Sequence, residues 1–136
     1  MNANLLINIR TFMLGATGVV TLAYAIMTLI KQTPAPFAVW LPGAFAAVSV
    51  ITLAVVGLTL GYDRGAAAMD EGYRHDRRRA ESLSYWVALW LYPLFGFLLF
   101  QRLVSWPVAF AAMGCFTGSV FLLSFVYFDL RGRAWN

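Results

Sequence analysis

The stretch TFMLGATGVVTLAYAIMTLI, from Thr11 to Ile30, decides the fold class of this chain. It contains no Asp, Glu, Lys, Arg or His. An α-helix needs about 20 mainly apolar residues to cross the hydrocarbon core of a bilayer, and helices satisfy their own backbone polar groups there. The stretch therefore predicts a membrane-spanning helix.

A secretory signal peptide is the alternative interpretation of this first apolar stretch. Arg10 precedes it, and the AYA at residues 23–25 resembles a cleavage site. The apolar run continues through Ile30, however, and is longer than the apolar region of a signal peptide, which is about 7 to 15 residues. We therefore expect a membrane helix that is retained.

Three more apolar stretches follow, and the composition of the whole chain agrees with them. None contains a charged residue or a histidine, and they run from about Val39 to Leu60, Leu83 to Phe100, and Trp106 to Phe128. The chain is 61% hydrophobic and only 12% charged, whereas charged residues make up roughly 25% of a soluble domain. The sequence predicts an all-α integral membrane protein whose four transmembrane helices form one domain, residues 1–136.

The arginine and lysine residues indicate how the helices are oriented. The two sides of the predicted membrane differ greatly in their number of basic residues. One side carries only Lys31 and Arg102. The other side holds Arg10, Arg64, Arg74, Arg77, Arg78, Arg79, Arg131 and Arg133. Basic residues accumulate in cytoplasmic connections, so we expect a bacterial inner (plasma) membrane protein with both termini in the cytoplasm. This asymmetry accounts for the net charge of +4, and we expect no nucleic-acid partner.

Two segments, 65 positions apart, are nearly the same: PGAFAAVSVIT at residues 42–52 and PVAFAAMGCFT at residues 107–117. Each begins the second helix of a predicted hairpin, since proline is favoured in a first helical turn. We expect two tandem hairpins, at about residues 8–64 and 83–131, joined by a cytoplasmic segment at about 65–82. They would form a parallel pseudo-repeat with its axis along the membrane normal. Coincidence between Ala-rich helices is the alternative.

Small residues mark the candidate helix-packing positions. A Gly-x-x-x-Gly pair lets a second helix backbone approach closely, and Ala has a similar effect. The predicted positions are Gly18 and Ala25 in the first helix, Ala47 in the second, and Gly114 and Gly118 in the fourth. The pattern does not distinguish a neighbour in the same chain from another subunit. In the third helix, Pro93 predicts a kink.

The segment EGYRHDRRRAES, residues 71–82, is rich in charge. It is expected to continue as a helix into the third apolar stretch, with Asp70 as its N-cap. Asp70–Arg74 and Arg77–Glu81 have the i, i+4 spacing of helical ion pairs. A solvated topology anchor is one interpretation of the segment. The other is contact with anionic lipid headgroups or an acidic partner, through Arg74, Arg77, Arg78 and Arg79.

Residue types that support catalysis or metal binding are scarce. His75 is the only histidine and Cys115 the only cysteine, which excludes a bis-histidine haem site, a disulfide or a Cys pair within one chain. The apolar stretches lack ionisable groups for a proton-coupled mechanism. We predict no enzyme and no resident metal or cofactor. We expect bound lipid, and the aromatic third helix allows contact with a quinone or pigment through Trp86 and Trp90.

These observations favour a small, non-catalytic, multi-pass membrane protein. We expect an accessory or assembly subunit that packs against other integral membrane subunits, or against itself, in a larger complex. The alternative is a small oligomeric transporter or channel for a neutral or anionic solute, whose pore would be lined by Thr17, Thr21, Ser49 and Thr52. A third hypothesis is a membrane-embedded regulator that presents its basic cytoplasmic segment to a partner.

Overall fold

The computed structural model describes residues 3–60 and 71–134, and within these residues the chain forms four α-helices. They are α1 (Ala3–Lys31), α2 (Trp40–Leu60), α3 (Glu71–Phe100) and α4 (Trp106–Ala134). The all-helical prediction is confirmed. The first, third and fourth helices are each long and apolar enough to cross a membrane, whereas the apolar part of α2, Trp40–Val56, is shorter.

The second helix of each hairpin begins as the repeated segments predicted. α2 starts at Trp40 and α4 at Trp106, which places Pro42 and Pro107 in the first turns. A proline there removes no hydrogen bond, because the first N–H groups of a helix have no acceptor within it. The Ser105 carbonyl accepts a hydrogen bond from the Ala109 N–H at 2.9 Å.

A residue with left-handed backbone geometry follows the end of the first helix of each hairpin. These residues are Gln32, with φ of 52°, and Arg102, with φ of 57°. After α3, the Arg102 N–H donates to the Leu99 carbonyl and the Leu103 N–H to the Leu98 carbonyl, both at 3.0 Å. This is the paired hydrogen bonding of a Schellman motif, which satisfies carbonyls that a helix end leaves open.

The helices lie in the order α2, α1, α4, α3. α1 packs against α2 on one side and α4 on the other, and α3 packs against α4. The two hairpins are therefore joined through α1 and α4. A two-fold axis relating the hairpins would exchange α1 with α3 and α2 with α4. The contact between α1 and α4 would then have a counterpart between α3 and α2, and the described residues form no such contact. The parallel pseudo-repeat stays a prediction.

Two regions hold these helices together. A buried apolar cluster fills the space between α3 and α4, with Leu29 of α1 packed against it; its members are Phe95, Val104, Val108, Ala109 and Ala112. Between α1 and α4 the backbones come close at Gly18, where an added Cβ would lie 3.0 Å from Leu123 and 3.1 Å from Leu122. Ala25 is fully buried on the same helix.

The charged segment belongs to α3, as the sequence predicted, because the helix is continuous from Glu71 to Phe100. The Arg77 Nε donates to the Glu81 carboxylate at 2.7 Å, which confirms that i, i+4 pair. The predicted N-cap, Asp70, and its pairing with Arg74 fall outside the described residues. Pro93 lies inside α3, and its kink stays a prediction.

Candidate functional site

A buried cluster of polar and ionic side chains joins the beginning of α1 to the end of α4. Its centre is Asp129, whose Oδ1 accepts a hydrogen bond from Arg10 Nη2 at 2.9 Å. Its Oδ2 accepts from Thr11 Oγ1 at 2.6 Å and also from Arg133 Nη2. Arg133 additionally donates to Thr11 Oγ1 at 2.6 Å. We call these four residues, Arg10, Thr11, Asp129 and Arg133, the arginine–aspartate cluster.

Aromatic rings from two helices enclose the Arg10 guanidinium. Its central carbon lies 4.7 Å from the Tyr73 ring centroid and 5.6 Å from that of Phe125. The two rings meet edge to face, with centroids 5.4 Å apart. Cation–π attraction strengthens when the cation is removed from water, and Arg10 is only 8% exposed. The cluster therefore connects α1, α3 and α4.

The charges of the cluster do not cancel, because two guanidinium groups share one carboxylate. Asp129 is 8% exposed, whereas the Arg133 side chain is 34% exposed and also donates to Asn8 Oδ1 at 2.9 Å. A buried ion needs close partners of opposite charge to offset the loss of hydration. The cluster meets that need and leaves one positive charge in excess.

Sequence reasoning did not identify this cluster. Arg133 was interpreted only as a topology marker, Arg10 as a topology marker and as the basic residue before the signal-peptide-like stretch, and Asp129 was assigned no function. α4 continues as a helix to Ala134, which places Asp129 and Arg133 one turn apart on the same face. The signal in the sequence was an acidic residue directly after the apolar stretch that ends at Phe128, among arginines.

The predicted basic positions, Arg74, Arg77, Arg78 and Arg79, lie along the first turns of α3 and are all exposed. The Arg79 guanidinium carbon is 5.9 Å from the Phe128 ring centroid, so this side chain lies toward α4. The Arg77–Glu81 pair is exposed, so solvent screens the attraction and the pair contributes little to stability. Contact between these arginines and lipid or a partner stays a prediction.

The five predicted packing positions divide into two groups. Gly18 and Ala25 lie inside the chain's own packing. Ala47 is exposed on α2, and an added Cβ on Gly114 or Gly118 would meet no atom within 4 Å among the described residues. Contact with a neighbour at these three positions stays a prediction.

The aromatic residues of α3 are mostly at the surface. Trp86 and Trp90 are 56% and 71% exposed, and their contact with a quinone or pigment stays a prediction. An apolar groove of about 210 Å³ lies further along α3, and its aromatic lining is Tyr92, Phe95, Trp106 and Phe110. Among the described residues, no group of three or more His, Cys, Asp or Glu is placed to hold a metal ion.

Comparison with known proteins assigns no family, since no family model, curated protein or solved structure matches the chain.

Proposed function

We propose that this protein is a non-catalytic accessory or assembly subunit that packs against other integral membrane subunits in a larger complex. The arrangement of its helices in a row supports this role. Among the described residues, α2 packs against α1, and α3 packs mainly against α4, so much of each outer helix is left for other contacts. Lipid or protein can cover such apolar faces. Small exposed residues, such as Ala47 on α2, favour contact with another protein helix.

The observation that carries the proposal is the glycine pair on α4. Gly114 and Gly118 are one turn apart, and an added Cβ at either position would meet no atom of another described element within 4 Å. Lipid tails are as apolar as leucine, so apolarity alone does not drive helix association in a bilayer. Close backbone approach does, and it needs small residues. A helix from another subunit is therefore the neighbour that suits this part of α4.

We further propose that α2 also crosses the membrane, with both termini in the cytoplasm of a bacterial cell. Arg10, near the start of α1, contacts Tyr73, near the start of α3, so these two starts lie at the same end of the molecule. The chain must return over the length of α1 between Lys31 and Glu71. With 21 residues, α2 is about 31 Å long, close to the ~30 Å of hydrocarbon.

The hydroxyl groups that would line the pore of the channel alternative are instead mostly used in hydrogen bonds within the chain. Thr17 Oγ1 and Ser49 Oγ are hydrogen-bonded to each other at 2.9 Å between α1 and α2, and both residues are buried. Thr21 Oγ1 donates to the Thr17 carbonyl of its own helix at 2.9 Å. Three of the four proposed pore-lining residues thus make contacts within the chain.

Native mass spectrometry of the tagged protein, extracted from its own membrane in mild detergent, tests the accessory role. We expect a larger assembly that contains this chain at fixed stoichiometry. Gly118→Leu should release the chain from that assembly, because leucine blocks close helix approach. Val19→Leu is the control, because Val19 is exposed on α1 and its replacement adds a leucine to the surface without filling a glycine position.

The unfolding midpoint of each isolated variant shows whether it still folds. Recovery of a homo-oligomer that carries nothing but lipid would contradict the proposal and favour the channel alternative.

A further inference from the structure

A cleft opens where α1 and α3 both rest on α4. It has a volume of about 210 Å³ and is lined by Leu14 of α1, by Tyr73 and Arg77 of α3, and by Phe121, Leu122 and Phe125 of α4. In the described residues, α1 and α3 do not pack directly against each other as helices. The cleft is the space left between them.

The lining combines an apolar channel with one permanent positive charge. Leu14 and Phe121 belong to the apolar stretches of α1 and α4, so these walls suit hydrocarbon. Arg77 supplies the charge, and its Nε already donates to Glu81 at 2.7 Å. Tyr73 is a second side-chain hydrogen-bond partner of Arg77. A guanidinium has five N–H donors, so these two partners leave capacity for a phosphate group.

The charge around the cleft favours an anion. Tyr73 and Phe125 line the cleft and also enclose Arg10 of the arginine–aspartate cluster. That cluster carries one positive charge in excess. Asp76 and Glu81 offset part of the charge on α3, but residues 74–81 still hold four arginines against these two carboxylates, so the surroundings of the cleft are net positive. Basic groups at a membrane surface attract anionic lipids over zwitterionic ones.

The size and openness of the cleft also fit lipid better than an enclosed small molecule. Pockets that enclose small molecules usually measure about 300 to 1,000 Å³, which is more than the 210 Å³ found here. An acyl chain needs only a groove, since the rest of the lipid stays in the bilayer.

We propose that this cleft binds an anionic phospholipid, with one acyl chain along Leu14 and Phe121 and the phosphate bound by Arg77. The site is narrower than the whole arginine run, because only one of its four arginines lines the cleft. The proposal does not depend on the accessory role, and either can fail without the other.

Native mass spectrometry tests the headgroup contact. The protein is reconstituted in nanodiscs of equal parts phosphatidylglycerol and phosphatidylcholine, and the ratio of the two lipids retained by the released protein is measured. Arg77→Gln should lower the anionic-to-zwitterionic ratio about tenfold, because it removes a charge-assisted hydrogen bond to the phosphate. Arg78→Gln, the neighbouring exposed arginine outside the cleft, should leave the ratio unchanged.

Two further variants separate the specific site from general surface charge. Glu81→Gln removes the carboxylate that competes for Arg77 and should raise the ratio. Leu14→Phe narrows the cleft and should reduce total retained lipid, whereas Val19→Phe, at an exposed position of the same helix, should not.

Equal losses for Arg77→Gln and Arg78→Gln would overturn the proposal in favour of diffuse electrostatic attraction. Unchanged retention in Leu14→Phe would overturn the acyl-chain contact. Excess inorganic phosphate should not displace the lipid, since it cannot occupy the apolar walls; displacement would identify a free-phosphate site instead.

Discussion

At the residue scale, Asp129 accepts hydrogen bonds from Arg10, Thr11 and Arg133. Asp129→Asn keeps the shape of the side chain but removes the charge that offsets two guanidinium groups. Loss of one partner of a buried ion pair costs about 3 to 5 kcal/mol. We expect a loss near 3 kcal/mol in the free energy of unfolding, because the rings around Arg10 still stabilise its charge. Equilibrium unfolding in mixed detergent micelles measures this change.

The matched control is Glu81→Gln, which breaks the exposed pair with Arg77. That change should leave the free energy of unfolding nearly unchanged, because solvent screens the attraction between two exposed groups. Similar losses in both variants would show that burial does not increase the contribution of the arginine–aspartate cluster to the free energy of unfolding.

Gly18 and Gly15 lie on the same helix but differ in the space around them. An added Cβ at Gly18 would lie 3.1 Å from the Leu122 Cβ, whereas at Gly15 it would make ordinary contact with Val126 at 3.8 Å. We expect Gly18→Ala to destabilise the protein by about 1 to 3 kcal/mol through overpacking. Gly15→Ala should be neutral or stabilising, because Ala forms helix better than Gly. Unfolding midpoints of the two variants should therefore move differently, and a matched loss would refute this account.

At the scale of the elements, the sequence predicts the helices well and their neighbours poorly. Apolar stretches predicted all four helices, and the helical spacing of Arg77 and Glu81 predicted the extension of α3 to Glu71. α1 and α4 extend beyond their apolar stretches, to Ala3 and Ala134. Hydropathy does not detect those extensions, because polar residues in a helix end resemble those in a loop.

The arginine–aspartate cluster was missed for the same reason. Arg10 and Asp129 are 119 positions apart, and each directly flanks an apolar stretch. Only the packing of α1 against α4 brings them together. The hydrophobic periodicity of each helix does not indicate which other helix will contact its polar end. The small residues did mark Gly18, but the same pattern marks Gly118, which is open to the surroundings.

The attachment of α2 to α1 depends partly on the Ser49 hydroxyl, which is hydrogen-bonded to Thr17 Oγ1 at 2.9 Å and donates to the Met13 carbonyl at 3.4 Å. Ser49→Ala removes it, and such bonds between membrane helices contribute on average about 0.6 kcal/mol. We expect a loss of that size, measured by unfolding. Ser124→Ala is the control, because Ser124 bonds only to carbonyls of its own helix. If the two variants lost equal stability, the Thr17–Ser49 bond would not be holding α2.

At the scale of the whole molecule, the two hairpins are joined at both ends of the α1–α4 pair. The arginine–aspartate cluster lies at one end, and at the other Leu29 of α1 packs against the apolar cluster of α3 and α4. α3 takes part in both regions, through Tyr73 and through Phe95. The helices α1, α3 and α4 therefore form a unit, to which α2 is added on one side.

Together with the proposed cytoplasmic termini, this arrangement predicts which engineered cysteines are accessible from outside the membrane. With Cys115 replaced by Ala, single cysteines are introduced at Asn8, Thr33, His75 and Ser105. Thr33→Cys and Ser105→Cys lie at the connections α1–α2 and α3–α4, and a membrane-impermeant maleimide should label them in spheroplasts. Asn8→Cys and His75→Cys lie at the opposite end and should react only after the membrane is permeabilised. If α2 does not cross the membrane, His75→Cys will react in intact spheroplasts while Asn8→Cys does not, and the four-span topology will be wrong.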